Sequence, residues 1–171
     1  NAIIGMGGLL GETELDAEQR EYASTISRSG EALLAIINDI LDFSKIEAGR
    51  MELELAPFDL RECIEVVVDL IGPIAQRKGL EITYGIEPGT PETAVGDASR
   101  LRQILLNLLN NAVKFTEEGE IAVHVGAAQA PSADRIAFQV AIRDTGIGIP
   151  PERIDRLFQS FTQVDASTTR K

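Results

Sequence analysis

The chain has 171 residues, enough for one core of ordinary size or a domain with an appendage. Its 27 acidic and 16 basic side chains leave a formal charge of −11. That balance argues against nucleic acid or an anionic membrane as the main partner. Cys63 is the only cysteine, so there is no disulfide framework, and a reducing cytosol is the natural setting. It falls in an apolar run, where a buried small hydrophobe is the expected role. No run of about 18 apolar residues occurs, so no membrane span or signal peptide is expected in this segment. The expected location is the cytoplasm, whether or not a longer parent is anchored in the cytoplasmic membrane. The chain enters an apolar run directly at Ala2 and ends at Thr-Thr-Arg-Lys. Both ends read as cuts in a longer polypeptide.

Residues 1–11 read as the end of a helix, and 11–15 as a turn. Asp16 is a candidate N-cap with Gln19 three residues later. A long helix follows to about Ala48, with Gly49 placed to terminate it. Ile26, Leu33 and Ile40 recur every seven residues, and Tyr22, Ser29, Ile36 and Phe43 form a companion register. This near-heptad stripe predicts packing in a helical bundle rather than against the helix's own domain, because a helical partner precedes it across a short turn.

From residue 51 the texture changes. Met-Glu-Leu-Glu-Leu (51–55) alternates like a half-buried strand. Residues 59–77 read as a helix capped by Asp59. Residues 80–86 alternate as a strand, and 87–93 form a loop. Residues 97–115 make a strongly apolar helix. Turns at 117–119 and 131–134 lead into strands 120–127 and 135–143. The expected fold class is α+β: a helical hairpin (1–50), then a two-layer α/β sandwich (51–171) with a mixed sheet and helices on one face.

Asn107 and Asn111 are four apart on the apolar helix, and Lys114 follows three later, so all three share a face. Leu101, Leu105, Leu108 and Ala112 lie at core-facing spacing on another. Amide oxygens suit a hard ion such as Mg²⁺ that keeps waters and bridges phosphates, and an ammonium beside them offsets phosphate charge. Capping or solvation is the plainer role for such asparagines. Yet three Asn within five residues in mid-helix need a reason, because Asn is a poor helix former. Asp144 ends a strand at the edge of a sheet, where its carboxylate can accept the exocyclic amine of adenine. Gly146 and Gly148 allow close backbone approach and positive φ. No Gly-x-x-x-x-Gly-Lys-Ser/Thr occurs, so a P-loop is excluded.

Asn107-x-x-x-Asn111-Ala112-x-Lys114-Phe115 resembles the N box of sensor histidine kinases. Asp144-x-Gly146-x-Gly148 resembles their G1 box, and Leu157-Phe158-x-x-Phe161 their F box. Residues 42–49 (Asp-Phe-Ser-Lys-Ile-Glu-Ala-Gly) are similar to the end of the second helix of their dimerisation and phosphotransfer domain, particularly in hybrid kinases. The four motifs occur in family order and span the whole chain. The resemblance implies a Bergerat-type (GHKL) sandwich on a helical hairpin, two hairpins forming a four-helix bundle in a homodimer. It implies ATP and Mg²⁺ as ligands. Asn111 would be the main metal ligand with Asn107 in support, Lys114 would meet phosphate, and Phe115 would pack near the nucleotide. Asp144 would bind the adenine amine, Gly146 and Gly148 would shape the base pocket, and Phe158 and Phe161 would fix the base of a lid. Arg170 and Lys171 could approach the phosphates, although terminal basic residues are more often solvated. The implied activity is transfer of the ATP γ-phosphoryl to a His and on to a response-regulator Asp.

Two features depart from the family pattern. The phosphoacceptor His of the family has no counterpart here. The sole histidine, His124, lies in an alternating strand of the nucleotide domain and is not assigned that role. The Gly-rich segment expected after Lys171, whose N–H groups would close a lid on the triphosphate, is also outside these residues. Phosphoryl transfer depends on positioning, so these 171 residues alone are expected to be inactive as a kinase. A GHKL-type ATPase of the gyrase, Hsp90 or MutL kind is the main alternative, but those enzymes carry a water-activating Glu where Asn107 stands. A non-catalytic, dimerising nucleotide-binding module is the third reading. The apolar stripe of the hairpin predicts aggregation or non-native pairing if its partner surface is shortened.

Overall fold

The computed structural model of the chain describes residues 2–130, 132 and 135–154. The chain divides into two compact units, Asn1–Leu53 and Glu54–Lys171.

The first unit is a helical hairpin of α1 (Ala2–Gly11) and α2 (Ala17–Glu47). Asp16 starts α2 through a reciprocal capping box: its carboxylate accepts Gln19 N–H at 2.8 Å, and the Gln19 side chain accepts Asp16 N–H at 3.2 Å. At the other end, Gly49 (φ 64°) donates to Ile46 O and Arg50 to Lys45 O. That pair of bonds is a Schellman motif, and it stops the helix where an L-residue would resist the left-handed turn. Small residues bring the two helices together. A Cβ on Gly7 would collide with the Ser27 hydroxyl, and one on Gly30 would lie 2.9 Å from Ile4 Cγ1. Ala23 is buried, while Ile26, Leu33, Ile36 and Ile40 remain exposed. The heptad stripe therefore points away from α1.

The second unit contains β1 (Ala56–Asp59), α3 (Leu60–Arg77), β2 (Glu81–Ile86), β3 (Thr93–Gly96), α4 (Ala98–Phe115), β4 (Glu120–Ala128), β5 (Ala137–Asp144) and a single turn, α5 (Pro151–Ile154). The main sheet has order β2-β4-β5, with β2 and β4 parallel and β4 and β5 antiparallel. Along β4, Ile121, Val123 and Val125 are buried and His124 is exposed, the two-residue alternation of a sheet covered on one face. Those residues join Leu60, Ile64, Val67 and Ile71 of α3 and Leu105, Leu109 and Val113 of α4 in one core. The arrangement is the expected α+β sandwich with a mixed sheet.

Three local expectations are corrected. Residues 51–55 are not a strand, and Leu53 and Leu55 are exposed. The alternation there found no partner, and pairing begins at Ala56. The loop expected over 87–93 runs directly into β3, which pairs antiparallel with β1 in a separate two-stranded sheet. A four-residue strand is too short to show a period. On α4 the buried positions are Leu105, Leu109, Ala112 and Val113, whereas Leu108 is 48% exposed. Ala112 and Val113 lie three and four residues beyond Leu109, itself four beyond Leu105, and that line leaves Leu108 on the flank.

Candidate functional site

Helix α4 begins at Asp97, whose carboxylate accepts the N–H of Arg100 at 3.0 Å and of Glu54 at 3.1 Å. These backbone donors hold its carboxyl below the ordinary aspartate range, Arg100 contributing most. The cap fixes the start of the helix and ties it to the irregular segment that leads into β1. Anchored by its buried face, α4 presents Asn107, Asn111 and Lys114 to solvent together. No hydrogen bond engages either carboxamide among the described residues. The Lys114 ammonium lies 5.0 Å from the centre of the Phe115 ring, so its charge is held beside an aromatic face.

The C-terminus of α4 is where the two sequence motifs meet. An α-helix leaves its last four carbonyls without intrahelical partners. Here Ala112 O accepts Thr116 N–H at 3.0 Å, and Phe115 O accepts Ile147 N–H at 3.2 Å. Ile147 belongs to the loop that follows β5. The Asp144 carboxylate accepts Gly146 N–H at 2.9 Å within the same loop. Asp144 pairs with Ile121 in the β4–β5 register, so its side chain emerges on the helix-covered face of the sheet.

The two glycines have separate roles. A Cβ on Gly146 would stand 2.5 Å from Phe115 O and 2.8 Å from Asp144 Oδ1, so no side chain fits there. Gly148 has open space around it but adopts φ 69°, a backbone that L-residues resist. Close approach belongs to Gly146 and positive φ to Gly148.

Three structural contributors were not found in the sequence. Thr145 Oγ1 accepts Glu120 N–H at 3.1 Å and lies 3.3 Å from Glu118 O, tying the loop to the turn before β4. Lys78, the C-cap of α3, reaches the end of α4. Ile104 and Leu108 are exposed on the α4 flank next to Asn111, beside the Phe115 that the sequence had already singled out, and Ile147 is 72% exposed. Spacing could have shown the apolar flank. The two polar ties depend on long-range contacts and left no local signal. Cys63 is buried as expected, and desolvation raises its thiol above the ordinary range against the opposing pull of Arg102. It is poorly suited to nucleophilic chemistry.

Phe158 and Phe161 lie outside the described residues, as do Arg170 and Lys171. His124 is exposed on the sheet face opposite the helices, between Gly85 and Ala141. Among the described residues no helix is long and apolar enough to cross a membrane.

The site is thus an amide-and-ammonium helix face beside a carboxylate–glycine loop, a combination suited to a nucleotide outside the P-loop class. Comparison with known proteins agrees. Residues 96–171 match HATPase_c, the histidine kinase-, DNA gyrase B- and HSP90-like ATPases. Residues 1–49 match HisKA, the His Kinase A (phospho-acceptor) domain. The chain is 48% identical over all 171 residues to the signal transduction histidine-protein kinase BarA of Escherichia coli strain K12, and 42% identical to the sensor histidine kinase GacS of Pseudomonas protegens. It spans 18% of the length of each of these relatives. The crystal structure of full-length ShkA in complex with AMPPNP superposes with a TM-score of 0.73 at 42% identity, covering 94% of this chain and 34% of that one. The structure of the kinase ThkA with its response regulator TrrA shares the fold at TM-score 0.63 and 23% identity, covering 95% of this chain and 46% of that one. The chain belongs to the sensor histidine kinases and carries sequence of both their phosphoacceptor-type and ATPase-type domains.

Proposed function

We propose that the chain forms the nucleotide-binding catalytic core of a sensor histidine kinase that uses ATP with Mg²⁺. Residues 1–50 serve as the dimerisation and phosphotransfer hairpin, and 51–171 as the ATP-binding domain. The observation that carries this reading is the junction between Phe115 O and Ile147 N–H. It makes the Asn/Lys helix face and the Asp144 loop one structural unit.

Within that unit Asp144 accepts the adenine amine while Gly146 N–H holds the carboxylate in place. The exposed apolar flank of Ile104, Leu108 and Phe115 supplies surface for the base. Two exposed carboxamides with no hydrogen bond of their own fit a hard cation that keeps most of its waters. Asn111 and Asn107 would hold it, and when bound it offsets charge on the phosphate oxygens. Lys114 adds a positive charge beside them. In the reaction the bond from the γ-phosphorus to ADP breaks as a phosphorus–nitrogen bond to imidazole forms. The acceptor is a histidine other than His124, which faces away from the helices. The phosphoryl group then passes to an aspartate of a response regulator. Asn107 has no basic atom to activate water, so it favours transfer to a held nucleophile over hydrolysis. The exposed α2 stripe supports a homodimer through the hairpin, and a buried free thiol suits the cytoplasm.

Displacement of a fluorescent ADP analogue by ATP and by GTP tests the base assignment. ATP should compete at least tenfold better, because guanine presents a carbonyl where the Asp144 carboxylate needs a donor, setting two acceptors against each other. Asp144→Ala should erase that preference. Equal competition by the two nucleotides in the unmodified chain would contradict the assignment.

A further inference from the structure

The end of α4 is closed by a residue from another helix. Lys78 Nζ donates to Val113 O at 2.6 Å, Thr116 O at 3.0 Å and Lys114 O at 3.3 Å. An ammonium has three N–H donors, and here they fan over three carbonyls. With Ala112 O bonded to Thr116 N–H and Phe115 O to Ile147 N–H, every carbonyl from 112 to 116 has a partner. No glycine turns this helix end, since Thr116 is extended (φ −100°, ψ 122°). The usual local way of satisfying the last carbonyls is absent, and Lys78 replaces it. A cation there also meets the negative end of the helix dipole.

We infer that Lys78 is a positioning residue for the nucleotide site, acting through the last turn of α4. The carbonyls it holds, Val113, Lys114 and Thr116, bracket Phe115 O. That atom both receives Ile147 N–H and abuts Gly146. Fixing the turn therefore fixes the loop that carries Asp144, and it fixes the backbone from which Lys114 extends. Lys78 touches neither motif side chain and reaches the site only through backbone. The inference rests on the nucleotide reading above for its effect on affinity, but its effect on the loop is independent of any ligand.

Two substitutions separate charge from bulk. Lys78→Met keeps the apolar stem and removes the donors, and Lys78→Arg keeps a cation with several N–H groups. Amide hydrogen exchange followed by NMR on the unliganded chain reads the loop directly. In Lys78→Met the Ile147 amide should exchange at least tenfold faster, while Val123 and Val125 in β4 keep their rates. Affinity for Mg·ADP should fall about tenfold, the loss expected for charge-assisted hydrogen bonds. Lys78→Arg should recover most of both effects. An unchanged Ile147 rate, an equal rise at Val123 and Val125, or undiminished ADP affinity in Lys78→Met would each overturn the inference. Failure of the unmodified chain to bind ADP would instead overturn the nucleotide reading, and the exchange rates would still decide the role of Lys78.

Discussion

Gly146 shows how narrow the tolerances of the site are. The atoms its missing side chain would meet are a backbone carbonyl at 2.5 Å and the Asp144 carboxylate at 2.8 Å. A carbonyl in the last turn of a helix cannot swing aside. Gly146→Ala is expected to push the loop off α4, costing about 1–3 kcal/mol of stability as other overpacked sites do. It should break the Ile147–Phe115 bond and remove most nucleotide affinity. Gly148→Ala has room and suffers only its positive φ, about 1–2 kcal/mol. Denaturant melts alongside nucleotide titrations check the contrast. Gly146→Ala must lose more affinity than Gly148→Ala, and the reverse order would mean that close approach is not what the glycine provides. The Asn, Lys, Asp and Gly residues of this site were legible in the sequence through their combination. Asn is costly in mid-helix, whereas glycine turns after strands are common, and the Asp-x-Gly-x-Gly run gains its weight from lying downstream of the Asn/Lys helix. Lys78 and Thr145 were not legible. A lysine at the end of one helix and a threonine after an aspartate are ordinary locally, and their meaning depends on carbonyls 25 to 38 residues away.

Most elements were legible through caps and period. Asp16, Asp59 and Asp97 each accept a backbone N–H three residues on; the sequence pointed to the caps at Asp16 and Asp59, and at Asp97 only to the start of a helix. Alternation found β2, β4 and β5, while the short pair β1 and β3 was either misplaced or missed. The alternating leucines of 51–55 follow a strand pattern without a neighbouring strand to pair with, and hydrogen bonding decides a strand more than pattern does. The face of α4 was read almost correctly, with Leu108 assigned to the core where Leu109 belongs. Leu109→Ala should cost about 2–5 kcal/mol, the range for a buried leucine. Leu108→Ala should stay within about 0.5 kcal/mol, as for a surface position. Urea unfolding of both variants checks this, and comparable losses would return Leu108 to the core.

At the scale of the whole molecule the sandwich buries its apolar surface and the hairpin does not. Ile26, Leu33, Ile36 and Ile40 line α2 in the open, Leu33 being 55% exposed. Contiguous apolar surface of this kind marks an interface or an aggregation site, and the family assignment of residues 1–49 favours the first. Light scattering at micromolar concentration should find species larger than a monomer. Leu33→Glu combined with Ile40→Glu should shift them to monomer without lowering the stability of the sandwich. A clean monomer in the unmodified chain would show that this stripe does not self-associate.

The central claim is that the α4 face and the loop after β5 form one Mg·nucleotide site. Calorimetric titration with ADP, with and without Mg²⁺, of the unmodified chain and of Asn111→Ala tests it most directly. One-site binding that Mg²⁺ strengthens, and that Asn111→Ala weakens about tenfold only when Mg²⁺ is present, is the predicted result, the size being that of a lost ligand or charge-assisted contact. A folded chain that binds no ADP, or an Asn111→Ala chain that binds Mg·ADP as tightly as the original, would contradict it.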